Sequence, residues 1–357
     1  MGLHVDDDRK IAKFLEEAEK QCKVRVIDYN ATEKVYDNSI FYNTYVIGLT
    51  KALGLSESVS RELLPHVNLA MQTLDEQGLS PYRTFDSISG FAEMLGKFRG
   101  RDFSPRISTH YITDNTELIL IEPPCGSNTI IIKSNGNVLF VDSGYALYKN
   151  EMQDIFRNLV SDFDTRKKTI LVTHADVDHC GLLPMFDEII ASHRTAECLK
   201  NEYMNRDGFR EENYLHKPYV KICKLLTSYI PPNPEKITVP WKMTESLTEP
   251  LTQIGFFDFG EMHFEVYEGR GGHLAGEIIL IDYTHHVAIT GDVYINVHAL
   301  TPAQAEYNRY APILMTSVDT DPALCSEERK TVLARLGVGS WQIFGAHGAK
   351  KDYVVNN

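Results

Sequence analysis

Two imidazoles and two carboxylates fall within six consecutive positions of Thr173-His174-Ala175-Asp176-Val177-Asp178-His179-Cys180-Gly181, directly after the apolar run Ile170-Leu171-Val172. Imidazole and carboxylate are the donors that borderline and hard divalent cations prefer. Left without a cation, such a cluster would suffer desolvation and like-charge repulsion. A turn at the end of a buried strand, just ahead of a helix expected to start near Leu182, is a place where these groups can converge on metal.

Further single donors recur downstream in the same setting. Gly271-Gly272-His273 follows the alternating segment Met262-His263-Phe264-Glu265-Val266-Tyr267 and precedes Ile278-Ile279-Leu280-Ile281. Val287-Ala288-Ile289-Thr290 runs into Gly291-Asp292, and Gln342-Ile343-Phe344 into Gly345-Ala346-His347-Gly348. Each donor sits at a strand end beside glycine, which permits a sharp turn or close backbone approach. Strand ends are also rigid mounts for a ligand shell.

At these positions the sequence resembles the metallo-β-lactamase superfamily, whose pattern is His-x-His-x-Asp-His, then a distant Gly-His, a Gly-Asp and a last His. The pattern is met here by His174, Asp178, His179, His273, Asp292 and His347. The family's opening hairpin is similar to Asn128-Thr129-Ile130-Ile131-Ile132-Lys133, a turn at Asn135-Gly136-Asn137, and Val138-Leu139-Phe140-Val141-Asp142-Ser143-Gly144. The resemblance spans roughly residues 116–347 and leaves out the N-terminal third.

One position departs from the pattern: Asp176 stands where most of the family has its second histidine. A carboxylate there adds negative charge and a harder donor, moving preference from zinc towards iron or manganese without excluding zinc. It is similar in this to flavodiiron and related diiron oxygen-binding members, which usually carry glutamate. The resemblance implies one metal on His174, Asp176 and His273, another on Asp178, His179 and His347, and Asp292 bridging. Three carboxylates on one cation would over-neutralise it, whereas two dications with a bridging hydroxide balance the charge. Water held between two such ions becomes a nucleophile near neutral pH, as zinc-bound water does with a pKa of about 7.

The expected fold is an α/β, four-layer αββα sandwich over residues 106–357, preceded by a small all-helical domain over residues 1–105. Apolar residues at helical spacing predict helices over 9–23, 39–53, 57–77 and 85–98, with Ser56 as an N-cap, Gly78 as a stop and Pro65 as a kink. The bundle's apolar stripes read as core, a dimer surface or a lid. Strands are expected over 117–121, 129–133, 138–141 and 169–173, with a helix over 151–160. An aromatic and proline-bearing insertion at about 200–250 is either a substrate cover or a helical pair packed on the sandwich.

Around the donors, Asp142 is placed to orient His174 or His179, and Thr173 and Thr290 adjoin ligand positions. Tyr145, Arg270, Tyr294, Asn296 and Lys350 are near enough in sequence to hold a substrate carboxylate or an oxyanion. Cys180 reads as packing, and His4, His66 and His110 as ordinary histidines.

A net charge of −13 with no basic stripe argues against nucleic acid. No apolar run approaches transmembrane length. The acidic N-terminus lacks secretory features. Six cysteines without paired spacing suit reduced thiols. The expectation is a cytoplasmic enzyme with a small-molecule substrate, no membrane and a homodimer as an open option. The leading reading is a binuclear hydrolase of an ester, thioester, lactone or amide, holding two ions of zinc, iron or manganese, with Asp178 or Asp292 handling the proton. The alternative is a diiron protein that binds or reduces oxygen or nitric oxide, or oxygenates a substrate, using an external electron donor.

Overall fold

A computed structural model describes residues 8–21, 38–79, 81–243, 248–310 and 317–356. Two sheets are formed. The first has β1 (Arg106–Tyr111), β2 (Thr116–Glu122), β3 (Thr129–Ser134), β4 (Asn137–Val141), β5 (Thr169–Leu171), β6 (Glu188–Ile190) and β7 (Ile237–Thr238) in that spatial order. The second has β8 (Leu251–Phe259), β9 (Met262–Gly269), β10 (Ile278–Asp282), β11 (Val287–Ile289), β12 (Gly339–Phe344) and β13 (Lys351–Val355), also in order. Strands β1 to β4 pair antiparallel and β4 to β7 parallel, while β11 and β12 are the parallel pair of the second sheet.

Alternation explains why the sheets stack. Leu118, Leu120, Ile130, Ile132, Leu139 and Val141 face the second sheet and meet Phe264, Val266, Leu280 and Phe344. The intervening Ile119, Ile121, Ile131 and Phe140 face helices. Both faces of the first sheet are therefore apolar, as a strand covered on two sides requires. Asn135 and Gly136, at φ 50° and 79°, close the β3–β4 hairpin as the left-handed two-residue turn that Asn-Gly favours.

Helices complete the outer layers. The chain opens with α1 (Asp8–Glu19); over the first sheet lie α2 (Asn38–Leu53), α3 (Glu57–Glu76), α4 (Pro81–Lys97), α5 (Lys149–Leu159), the single turn α6 (Val177–Cys180), α7 (His193–Tyr203) and α8 (Lys217–Leu226), with α9 (Pro302–Tyr307) following β11 in the chain. Over the second lies α10 (Pro322–Arg335), whose Val332 packs with Ile279, Ile281 and Trp341. This is the αββα sandwich with a helical region ahead of it. Leu63, Val67, Ile88 and Leu95 of α3 and α4 share one buried cluster with Ile119, Ile131, Phe156 and Leu226.

Several local expectations shift. The helix expected near Leu182 is instead α6, inside the donor motif, followed by a short 3₁₀ turn at Leu183–Met185. Ser56 stands at the N-cap position of α3 without a side-chain cap bond, its hydroxyl pairing with Ser58, and α3 runs through Pro65 unbroken. Gly78, at φ 67°, ends it. The expected extension of the first helix to Lys23, together with His4 and Cys22, lies outside the described residues. The other five cysteines are free and buried. Among the described residues no helix is long and apolar enough to cross a membrane.

Candidate metal centre

The donor loops are tied to each other along one edge of the sandwich. Ile278 N donates to Thr173 O at 3.0 Å, Ala346 N to Gly291 O at 2.8 Å, and Asn128 N to Ala346 O at 2.6 Å. The Asn128 amide adds bonds to Gly345 O and Gly348 O, at 3.0 and 2.8 Å, pinning the loop that carries His347. Close approach is enforced by glycine: a Cβ on Gly272 would lie 2.3 Å from Cys325 N, and one on Gly181 2.2 Å from Ala146 N.

All seven predicted donors are brought together. His273 Nε2 lies 3.6 Å from Asp176 Oδ2 and 3.3 Å from Asp292 Oδ2. His347 Nε2 lies 3.4 Å from Asp292 Oδ1 and 3.6 Å from Asp178 Oδ2. His174 Nε2 is 3.7 Å from Asp176 Oδ2, and His179 Nε2 is 3.7 Å from Asp292 Oδ2. Three triplets, His174–His179–Asp292, His174–Asp176–His273 and Asp178–His179–His347, have donor atoms within 4.8 Å of one another and could each hold an ion. His174 Nε2, His179 Nε2 and Asp292 Oδ1 are buried with no hydrogen-bond partner among the described residues. Burying polar atoms unpaired is costly, so the donor set fits a bound cation.

Supporting groups fix the rings. Asp142, held at φ 55°, accepts from Thr173 N and Thr173 Oγ1, each at 2.8 Å, and its Oδ2 lies 2.9 Å from His179 Nδ1. Of the two histidines expected for Asp142, it orients His179. Asp319 Oδ1 sits 2.9 Å from His273 Nδ1, and the Gly271 and Gly272 amides donate to buried Glu328. Glu277, also buried, accepts from Asp292 N at 2.6 Å and lies 3.5 Å from His174 Nδ1. Burial pushes its carboxyl up to about 8. Burial likewise drives His174 down to about 4, keeping its ring neutral as a ligand must be.

Arg210, from the segment between α7 and α8, reaches into the cluster. Its Nε and Nη2 donate to the two oxygens of Asp176, each at 2.5 Å, and Nη2 lies 3.1 Å from His273 Nε2. Burial disfavours charge at Asp176, yet the adjacent guanidinium holds its carboxyl well below the usual range.

A cavity of about 290 Å³ opens over the donors. Phe91, Val177, Val220, Ile295, Tyr307 and Val318 supply much of its apolar wall. The 200–250 segment thus contributes to the cover, through Arg210, Val220 and Cys223, and α8 also packs on α3. Tyr145 lines the cavity and pairs hydroxyl to hydroxyl with Tyr307. Asn296 instead bonds Ala349 O, Lys350 bonds Asp352, Tyr294 accepts at its carbonyl from Thr290, and Arg270 is exposed. Cys180 packs against the His174 carbonyl, and His110 lies edge-on to Phe344.

Sequence reasoning missed Arg210, Glu277, Asp319 and Glu328. An acid directly before an apolar strand, as Glu277 is, was the one available signal. The other three lie in charge-rich stretches, Arg206 to Glu212, Asp319 to Asp321 and Glu327 to Lys330, that read as solvated surface.

The architecture and donors define an αββα protein with candidate metal-binding groups at one edge of the sandwich. Residues 123–303, just over half of the chain, match the metallo-β-lactamase superfamily profile, and the chain belongs to that superfamily. The match includes His174 to Asp292 and ends before His347. No curated protein sequence matches the chain. Among solved structures, a metallo-β-lactamase from Pontibacter korlensis is similar at 15% identity and TM-score 0.41, covering 69% of this chain and 94% of its own. A flavoprotein from Thermotoga maritima is similar at 18% identity and TM-score 0.41, with 69% of this chain and 58% of that protein covered. The B3 metallo-β-lactamase BLEG-1 aligns at 17% identity and TM-score 0.37, covering 64% and 91%.

Proposed function

We propose that the protein is a metal-dependent hydrolase of an ester, thioester, lactone or amide whose acyl part is small and apolar. The observation that carries this reading is that the unpartnered donors of His174, His179 and Asp292 belong to a cluster lying beneath a largely apolar cavity. Its volume of about 290 Å³ is at the lower end of small-molecule sites. A divalent ion bound there supplies hydroxide near neutral pH and an electrophile for the acyl carbonyl.

The chain's own groups provide the rest. Burial raises the Asp178 carboxyl, which suits it to take up a proton from attacking water and pass it to the leaving group. Arg210 lines the cavity, and its Nη1 is buried without a partner among the described residues, so it is a donor for an acyl oxygen. The phenyl ring of Phe91 and the side chain of Val220 favour an apolar acyl chain and disfavour a charged one. The diiron alternative rests on Asp176 as a hard oxygen donor, and that carboxylate is already engaged by Arg210.

The test is a panel of acyl esters, thioesters and lactones offered to zinc- or manganese-loaded protein, with Asp292→Ala alongside. Loss of several kcal/mol of charge stabilisation corresponds to a fall of about 10³-fold. Activity unchanged in Asp292→Ala would refute the reading.

A further inference from the structure

We infer that Arg210 takes the place of one of the two metal ions that the ligand pattern provides for, so that the centre holds one divalent ion beside a fixed guanidinium. The inference rests on the metal centre of the proposed hydrolase and concerns how its charge is divided.

Geometry is the first argument. Arg210 engages both Asp176 oxygens as a two-pronged fork, the arrangement guanidinium makes best with carboxylate. The same Nη2 lies 3.1 Å from His273 Nε2. Asp319 Oδ1 lies 2.9 Å from Nδ1, so in the neutral ring the proton sits there and the Nε2 lone pair faces Arg210. A metal ion needs that same lone pair. Two of the three donors in the His174–Asp176–His273 triplet are therefore committed to Arg210.

The pattern of unmet demand agrees. Asp176 and His273 have partners, whereas among the seven donors the buried atoms without a hydrogen-bond partner among the described residues are on His174, His179 and Asp292. Donor atoms of those three residues lie within 4.8 Å of one another, so one ion can reach all of them, with Asp178 and His347 alongside. Charge is also met. Asp176, Asp178 and Asp292 are the carboxylates among the donors, and one dication with one guanidinium neutralises those three charges, while Asp142 and Asp319 behind them are held by hydrogen bonds to His179 and His273. Arginine keeps its charge at any working pH, and removing its partner would leave a buried cation uncompensated.

Metal content decides the matter. Protein stripped with a chelator is titrated with Co²⁺, and the ions bound are counted by native mass spectrometry and by the visible absorption of the bound cobalt. Wild type is expected to saturate at one ion per chain. Arg210→Met, which keeps much of the volume and removes the charge, is expected to take two, while Arg210→Lys stays at one. Two ions in wild type, or one in a folded Arg210→Met, would overturn the inference and leave the hydrolase reading standing. No bound ion in any form would bring down both. Should Arg210→Met not fold, the wild-type count and the presence or absence of magnetic coupling between two cobalt ions decide alone.

Discussion

At the scale of single residues, the centre depends on carboxyl groups placed where water cannot reach them. Glu277 is the clearest case, since it is buried and its Oε1 holds the amides of Asp292 and Val293 at 2.6 and 3.2 Å. Its folded pKa of about 8 lies above the ordinary value of 4.5. Between those values the folded chain keeps a proton that the unfolded chain has lost, so this group's contribution is present below 4.5 and fades as pH rises towards 8. Glu277→Gln keeps the accepting oxygen and cannot ionise. Melting of the metal-free proteins across this window is expected to show the variant gaining on wild type with rising pH, by at most about 1.4 kcal/mol per unit. A difference that does not change with pH would mean that Glu277 is already ionised in the folded protein.

At the scale of elements, the donors are positioned by short connections that tolerate no extra atoms. Gly181 N donates to Gly144 O, joining α6 to the end of β4, and a Cβ at Gly181 would meet both Ala146 N and Gly144 O at under 2.5 Å. Both obstacles are backbone, so Gly181→Ala must displace α6 and with it Asp178 and His179. The expected cost is about 1–3 kcal/mol, read as a lower Tm together with weaker metal binding. Gly337→Ala, where nothing lies within 4 Å, is the control. Equal Tm values for the two variants would contradict this account. This rigidity also explains what was legible. His174, His179, His273, Asp292 and His347 follow apolar or alternating runs that are plain in the sequence, and the Asn135-Gly136 turn fixes the hairpin that ends at Asp142. Helix α4 starts at Pro81, four residues before the apolar spacing that begins at Phe85, and proline in a first helical turn is itself a start signal. Arg210 was not legible at all. Its meaning comes from Asp176, 34 positions away, through a fold in which the α7–α8 segment turns back over the donors.

At the scale of the whole molecule, the helical region and the sandwich share one interior. Leu53, Leu63, Val67 and Leu95 are fully buried in the cluster that also holds Ile131, Phe140 and Phe156. Tyr148 donates to Leu95 O at 3.0 Å, Gly100 N to Glu151 at 2.6 Å, and Phe91 reaches the cavity wall. Each fully buried aliphatic side chain contributes about 1.5–3 kcal/mol, so the few sandwich side chains that lose their cover when α2, α3 and α4 are removed weigh heavily against the 5–15 kcal/mol by which a folded protein is stable. The loss of those helices would also expose an apolar face larger than a soluble monomer carries. Residues 106–357 produced alone are therefore expected to aggregate, and co-production of residues 1–105 as a separate chain to restore solubility. Size-exclusion chromatography and thermal melting provide the check. A soluble, monomeric fragment melting at the full-length temperature would show that the sandwich is complete without its helices, and that Phe91 merely borders a cavity the sandwich builds by itself.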